Sequence, residues 1–446
     1  MRISGGNGPD AEVPGGSGCA GTETAGRLRR ILEDRREEFL APLLDLVARD
    51  TRVLGHGIEG GRERNGQEYL EGLLRSLGAE TAREPLTEEL IREGIDRFGE
   101  GNPGHDYRDR WNLVARFPGG GGPSILFDGH VDTMPPGDLA RWSFDPLRPE
   151  IVEGRLRGLG ACDMKGGLMA SVQAVRLLRE AGLDRPGDVT ILSVVDEEGG
   201  GNGTLAALLR GHRADAAVVC EPNSCALTRA HMGFLFFRVE VSGVALHSGT
   251  KWRGVNAIEK AVLLMEALND LERRWLMERR HPLLPPPTLN VGVIEGGTAG
   301  STVPDRCVFQ LCLHYLPGMD RDEVVRQVEE ALALRSAGDS WLRDHPPRVS
   351  IYQEGRPFEQ EEDHPFVEAA KEACRAAFGR DPTVDGSAAG NDARLLRNIG
   401  GMPTIILGPG PLENCHRPDE WLPVEEYLRC VLAYALLILN WGGREG

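Results

Sequence analysis

Apolar positions along the chain fall into two rhythms. In the first, short and nearly continuous runs recur as NLVARF (112–117), SILF (124–127), VTILSVV (189–195), AAVV (216–219) and, far downstream, MPTIIL (402–407). Helical patterns lie between them; after DMKGG, for example, Leu168, Val172 and Val175 recur at helical spacing. Alternation of this kind predicts an α/β fold, a mostly parallel sheet covered by helices. The second rhythm occupies the interval between the last two runs. Strands are expected at 234–243, 288–297, 307–316 and 348–353, with helices from about 256 to 277 and over 321–334. That order, β-α-β-β-α-β, is the split-βαβ or ferredoxin-like sandwich, an α+β unit able to close on its own core. The chain therefore divides into a larger domain in two parts, 27–230 and 355–446, and an inserted domain over 231–354. Residues 1–26 are rich in Gly, Ser and Pro and read as a disordered leader outside the fold.

Bulk properties narrow the function more than the fold. At 446 residues the chain exceeds the size at which one core usually stops growing. The longest apolar run, Cys430 to Leu439, is too short to span a bilayer and reads as a buried helix. Nine cysteines, an odd number without a C-x-x-C pair, together with no apolar signal segment, place the protein in a reducing cytoplasm. A net charge of -17 excludes nucleic acid and anionic membrane as expected partners. It leaves carboxylates free to be spent on metal.

The chemistry gathers where the strands end. SILF runs into His130 and Asp132, VTILSVV into Asp196, Glu197 and Glu198, AAVV into Cys220 and Glu221, and MPTIIL into a Gly-Pro loop carrying His416. The carboxyl ends of parallel strands share one edge of a sheet, so these groups converge, joined by Asp163 ahead of a helix. Imidazole with carboxylate suits zinc or a similar divalent ion, and a carboxylate can bridge two. Without cations so many like charges at short range could not all stay ionised. Asp132 stands behind His130 to fix its tautomer. Of the neighbours Glu197 and Glu198, one faces an ion and the other is free to carry a proton. Nucleotide motifs fail: FPGGGGP lacks a following G-K-[ST], and EEGGGNGT would set carboxylates beside a pyrophosphate.

The ordered set GHVDTMP, GRLRGLGACDMKGG, DEEGGGNG, CEP, HSG and GPGPLENCHRPDE resembles the di-zinc amidohydrolases that include acetylornithine deacetylase, succinyl-diaminopimelate desuccinylase and the glutamate-releasing carboxypeptidases. The resemblance runs from about residue 27 to the end. It implies a zinc-exopeptidase-like domain with an inserted lid and dimerisation domain, and two Zn2+ per subunit, for which Co2+ can substitute. Asp163 would bridge the ions, His130 and Glu221 completing one and Glu198 and His416 the other. Glu197 would be the general base, Asp132 the partner of His130, and the peptide after Asp163 cis. His247, in the inserted domain, would stabilise the oxyanion from the partner subunit of a homodimer, and Arg394 would pair with a substrate carboxylate. Two departures stand out: Ser301 and His314 occupy places where such relatives often carry Asn and Arg, and the loss of that Arg counts against a substrate with a distal acid. The expected reaction is hydrolysis of an amide, removing a small acyl group from an N-acyl amino acid or N-acyl amine. A carboxypeptidase, dipeptidase or desuccinylase is the alternative; a metal-binding protein without turnover would have no need of Glu197.

Overall fold

The computed structural model describes residues 21–444. Its large sheet has nine strands, in the order Glu80–Pro85, Trp111–Phe117, Gly187–Val194, Gly122–His130, Ala216–Val219, Thr404–Ile406, Leu227–His231 and Phe358–Glu359, with Val384–Ser387 also paired to Leu227–His231. The four central strands, from Gly187–Val194 to Thr404–Ile406, are parallel. Antiparallel strands flank them on both sides. All five runs expected as strands are strands, and the central ones are buried on both faces, as covered parallel strands must be. Helices Gly166–Glu180 and Val424–Gly442 pack against one face through a shared core with Phe127, Leu168, Val172, Tyr434 and Leu437. The second contains the expected buried run, Cys430 to Leu439, and no described helix is long and apolar enough to cross a membrane. Helix and sheet meet closely at Gly167, where a Cβ would lie 1.9 Å from the Cys220 carbonyl oxygen. Any side chain there would push away the helix that begins just after Asp163.

The smaller sheet runs Thr288–Gly296, Arg306–Tyr315, Gly233–Ser242, Arg348–Gly355, antiparallel throughout. Along Gly233–Ser242 buried and half-buried positions alternate, the period-2 signature of a sheet with one covered face. Two helices supply the cover. In Ala257–Glu278 the Asn256 side-chain oxygen caps the Ile258 and Glu259 amides, and in Arg321–Ala337 the Asp320 carboxylate caps the Glu323 amide. Leu235, Phe237, Leu264, Leu268, Trp275, Phe309 and Val328 form a core of their own beneath them.

The amino-terminal reading needs correction. Residues 1–20 lie outside the described residues, but the expected leader does not extend to 26, because a helix occupies Thr22–Asp34. Ala25, Leu28 and Leu32 fall on one face of it and are buried in the main core. The sequence reading also assigned no element to the helices Arg36–Val47, Arg64–Ser76 and Glu88–Phe98.

Candidate metal centre

The carboxyl edge of the parallel strands carries the site. His130 ends one strand, Glu197 and Glu198 follow the next, Glu221 follows Ala216–Val219, and His416 sits in the loop after Thr404–Ile406 with its backbone in the left-handed region. Asp163 occupies the turn before Gly166–Glu180, and its peptide bond to Met164 is cis, as the resemblance implies. Its two oxygens face two different imidazoles: Oδ1 is 3.1 Å from His130 Nε2 and Oδ2 is 3.3 Å from His416 Nε2. Glu221 Oε1 lies 3.7 Å from His130 Nε2, and Glu198 Oε2 lies 2.9 Å from His416 Nε2. Two groups able to hold a metal ion result, His130 with Asp163 and Glu221, and Asp163 with Glu198 and His416. They share Asp163.

The surroundings hold these groups in place. Asp132 does stand behind His130, but through its peptide: the carbonyl oxygen is 2.9 Å from Nδ1, whereas the carboxylate Oδ1 is 3.8 Å away. The carboxylate is turned to the other metal group, where Oδ2 accepts the Glu198 N–H at 3.0 Å. A residue the sequence reading passed over, Glu420, accepts the backbone N–H groups of Gly160, Cys162 and Asp163 at 2.8, 2.8 and 3.1 Å and so fixes the turn that presents Asp163. Asp196, also buried and in the left-handed region, is gripped by Arg110 Nη2, by Asn202 Nδ2 and by His105 Nδ1, each at 2.7 Å. The loop bearing Glu197 and Glu198 starts from that anchor. Glu420 belonged to the quoted GPGPLENCHRPDE and Asp196 to DEEGGGNG, yet only the fold shows that they act on backbone amides and on a distant arginine.

Electrostatics state what the cluster lacks. Burial, reinforced by Asp392, pushes the Glu197 carboxyl well above the usual range, and burial with Asp163 does the same to Glu221. Asp132 is pushed up to about 7 by burial, and His416 up to about 11 by its bonds to Asp163 and Glu198. Carboxylates are crowded around two imidazoles with too little positive charge between them. Two divalent cations sharing Asp163 would restore the balance, and the donor set, one imidazole and two carboxylates for each, is suited to them. Glu197 belongs to neither group. Its Oε2 is 4.0 Å from His130 Nε2, and it lines a cavity of about 740 Å3 together with Asp163, Glu221 and His416. A smaller cavity of about 140 Å3, bordered by Met134, Pro135, Pro136 and Trp142, meets the same centre at Asp163, Glu198 and His416.

Two expected site residues are not brought to the centre. Arg394 is buried and does not line the cavity. Its Nε donates to Glu100 Oε2 at 3.1 Å, Nη1 to the Asn391 carbonyl at 2.8 Å and Nη2 to the Gly200 carbonyl at 3.1 Å. Its guanidinium is turned inward on a carboxylate of the chain itself. His247 lies on a two-residue strand paired with Thr302–Val303 and is exposed, its Nδ1 accepting only the Gly249 N–H, at 3.1 Å. It does not line either cavity at the centre.

Comparison with known proteins agrees with this geometry. Residues 126–440 match the family described as Peptidase family M20/M25/M40. The chain is 31% identical to N-formyl-4-amino-5-aminomethyl-2-methylpyrimidine deformylase of Bacillus subtilis, over 94% of this chain and 98% of that protein. It is 32% identical to acetylornithine deacetylase of Vibrio parahaemolyticus, over 70% of this chain and 79% of that one. Among solved structures, a tripeptidase from Staphylococcus aureus superposes with a TM-score of 0.70 at 20% identity, covering 92% of this chain and 99% of that one.

Proposed function

The chain belongs to the peptidase family M20/M25/M40, and from that premise we propose that it removes a small acyl group, formyl first, from the nitrogen of a small amine. The observation that carries this choice of substrate is Arg394. With its fork spent on Glu100 and two carbonyls, it leaves Arg380 as the single arginine or lysine among the described residues lining the 740 Å3 cavity, against the acids Asp385 and Glu413. An amine half that carries no carboxylate fits that lining better than an amino acid or a peptide. The small space on the other side of the centre supports a small acyl group. The Bacillus relative, alike over nearly its whole length, is named for deformylation of an aminomethylpyrimidine, and a heteroaromatic amine of that kind is the first substrate to try.

Two divalent cations, zinc by preference with cobalt as a substitute, would be held by His130, Asp163 and Glu221 and by Asp163, Glu198 and His416, and when bound would supply Lewis acidity and acidify a water molecule. Glu197 takes the proton from the attacking water as the new C–O bond forms. It then delivers that proton to the amine nitrogen as the C–N bond breaks, releasing the carboxylate and the free amine. A general acid–base of this kind contributes about 10² to 10⁴ in rate. His247, exposed and distant from the cavity lining of its own chain, would donate a hydrogen bond to the oxyanion in the site of a second copy, with residues 231–354 serving as lid and dimer contact. Eight described cysteines are free thiols, which supports a reducing cytoplasm.

A panel of metal-loaded assays tests the reading: N-formyl and N-acetyl amines, N-acyl amino acids and dipeptides. The expected order places N-formyl amines first in kcat/KM. Preference for dipeptides would replace the proposal with a dipeptidase.

A further inference from the structure

The lining of the large cavity includes a carboxylate, Asp385, with which no cation among the described residues forms a salt bridge. Asp385 belongs to the strand Val384–Ser387, which pairs in parallel with Leu227–His231 and so places Asp385 beside Thr228; both residues line the cavity that contains Glu197. Their contact has a defined direction. The Asn223 side-chain oxygen accepts the Gly408 N–H at 3.0 Å, which fixes the orientation of the amide. Its Nδ2 therefore donates, and one recipient is Thr228 Oγ1 at 3.0 Å. With that hydroxyl oxygen accepting from Asn223, its single proton is directed at Asp385 Oδ1. Asp385 is thus an acceptor locked in place at one oxygen, and its other oxygen remains for whatever occupies the cavity.

Among the described residues no cation offsets the charge. Asp385 is half-buried, burial raises its carboxyl, and the Thr228 hydroxyl is the one group opposing that rise. A carboxylate held at one oxygen, half-desolvated and without a salt bridge is poised to accept from an N–H group of a ligand. Resting on the acyl-amine reading above, we propose that Asp385, oriented by Thr228 and Asn223, is a specificity-determining residue that accepts a hydrogen bond from an amino group on the amine half of the substrate, distinct from the scissile nitrogen. Such a site favours amino-substituted heteroaromatic amines over the same rings without the amino group, because the unsubstituted ring leaves a half-buried carboxylate unpaired.

The test compares two formamides, 5-(formamidomethyl)pyrimidine with and without a 4-amino substituent, and the two free amines they release. In the metal-loaded wild-type enzyme the amino-bearing formamide is favoured in kcat/KM, and its free amine binds more tightly by calorimetry. In Asp385→Asn the amide oxygen stays with the Thr228 hydroxyl and the NH2 faces the cavity, donor against donor. The preference then falls by roughly 10- to 100-fold, chiefly through KM, with metal content and melting temperature retained. Thr228→Val, which frees Asp385 to rotate, lowers the preference by a smaller factor and serves if the first variant does not fold. A ratio between the two substrates that is the same in wild type and in Asp385→Asn overturns the assignment. Binding of the free amines decides this even if neither formamide is cleaved, an outcome that would instead refute the deformylase reading.

Discussion

At the carboxyl edge of the large sheet three of the candidate ligands, His130, Glu198 and Asp163, are held by the protein before anything binds. The Asp132 carbonyl fixes His130, the Met134 N–H reaches Glu198 Oε1 at 3.2 Å, and Glu420 holds the backbone beneath Asp163. The turn that carries His247 in the inserted domain is the opposite case: a two-residue strand and an exposed ring held by one local hydrogen bond. One region is built to concentrate charge, which requires rigidity because buried carboxylates must not relax away from the ions they bind. The other leaves an imidazole exposed and outside the lining of either cavity. The difference teaches that metal binding and full catalysis need not be properties of the same assembly: a single chain contains both candidate metal groups, while on the proposed reading the oxyanion donor would come from a second copy.

The sharpest way to break the comparison lies inside the rigid region, between neighbours. Glu197→Gln is expected to keep two metals per chain and lose activity by about 10² to 10⁴ or more, because it removes the proton carrier and no ligand. Glu198→Gln and Glu221→Gln are expected to lose metal. Elemental analysis beside turnover separates the two outcomes, and full activity in Glu197→Gln would end its assignment as general base.

Arg394 tests whether rigidity or substrate reading is the purpose of the residues behind the centre. Paired with Glu100 in the interior, it should act through the fold. Arg394→Ala leaves Glu100 a buried unpaired carboxylate and is expected to lower stability by about 3 to 5 kcal/mol, measured by denaturant unfolding. Losses in kcat/KM should be equal on acyl amino acids and on acyl amines. A loss confined to substrates bearing a carboxylate would restore the role expected from the sequence.

Glu420 probes the same rigidity one step further out. Glu420→Gln keeps the shape but offers one oxygen where two now accept three backbone N–H groups, and burial already pushes this carboxyl up to about 8. Partners that orient metal ligands typically contribute 10- to 100-fold in affinity, and a loss of that size is expected in metal titrations. Unchanged affinity would mean that the turn holds Asp163 without it.

What was legible in the sequence follows from how each residue works. His130, Glu198 and Glu221 could be read because a charged residue at or just after the end of a buried strand is placed by the strand itself, whereas His416 lies further along the loop after Thr404–Ile406 and was carried by the motif GPGPLENCHRPDE. The smaller sheet could be read because its alternation and its caps at Asn256 and Asp320 are local. Glu420 and Asp196 could not, since their partners are backbone amides and an arginine 86 residues away. The pairing of Arg394 could not be read for a related reason: its partner Glu100 lies 294 positions upstream, in a stretch whose helices the apolar pattern did not show. The helix at Thr22–Asp34 was missed because Leu28 and Leu32 are spread among arginines and acids that face solvent, and the Gly-rich segment before it drew the boundary too far into the chain.

The smallest effect bears most directly on the comparison, because it asks whether the exposed donor serves another chain. His247→Ala and Glu197→Ala are each expected to be nearly inactive alone. Co-expressed, they pair at random under a two-fold dimer, and about half the dimers contain one chain of each kind. If His247 reaches the partner's site, one of the two sites in such a mixed dimer combines an intact Glu197 with an intact His247 supplied by the other chain. The pool then recovers roughly a quarter of the wild-type sites. If His247 serves its own chain, each site in the mixed dimer lacks one of the two residues and nothing is recovered. Two different affinity tags isolate the mixed species, in which half the sites should be active, and an inactive mixed dimer with full metal content would confine His247 to its own subunit.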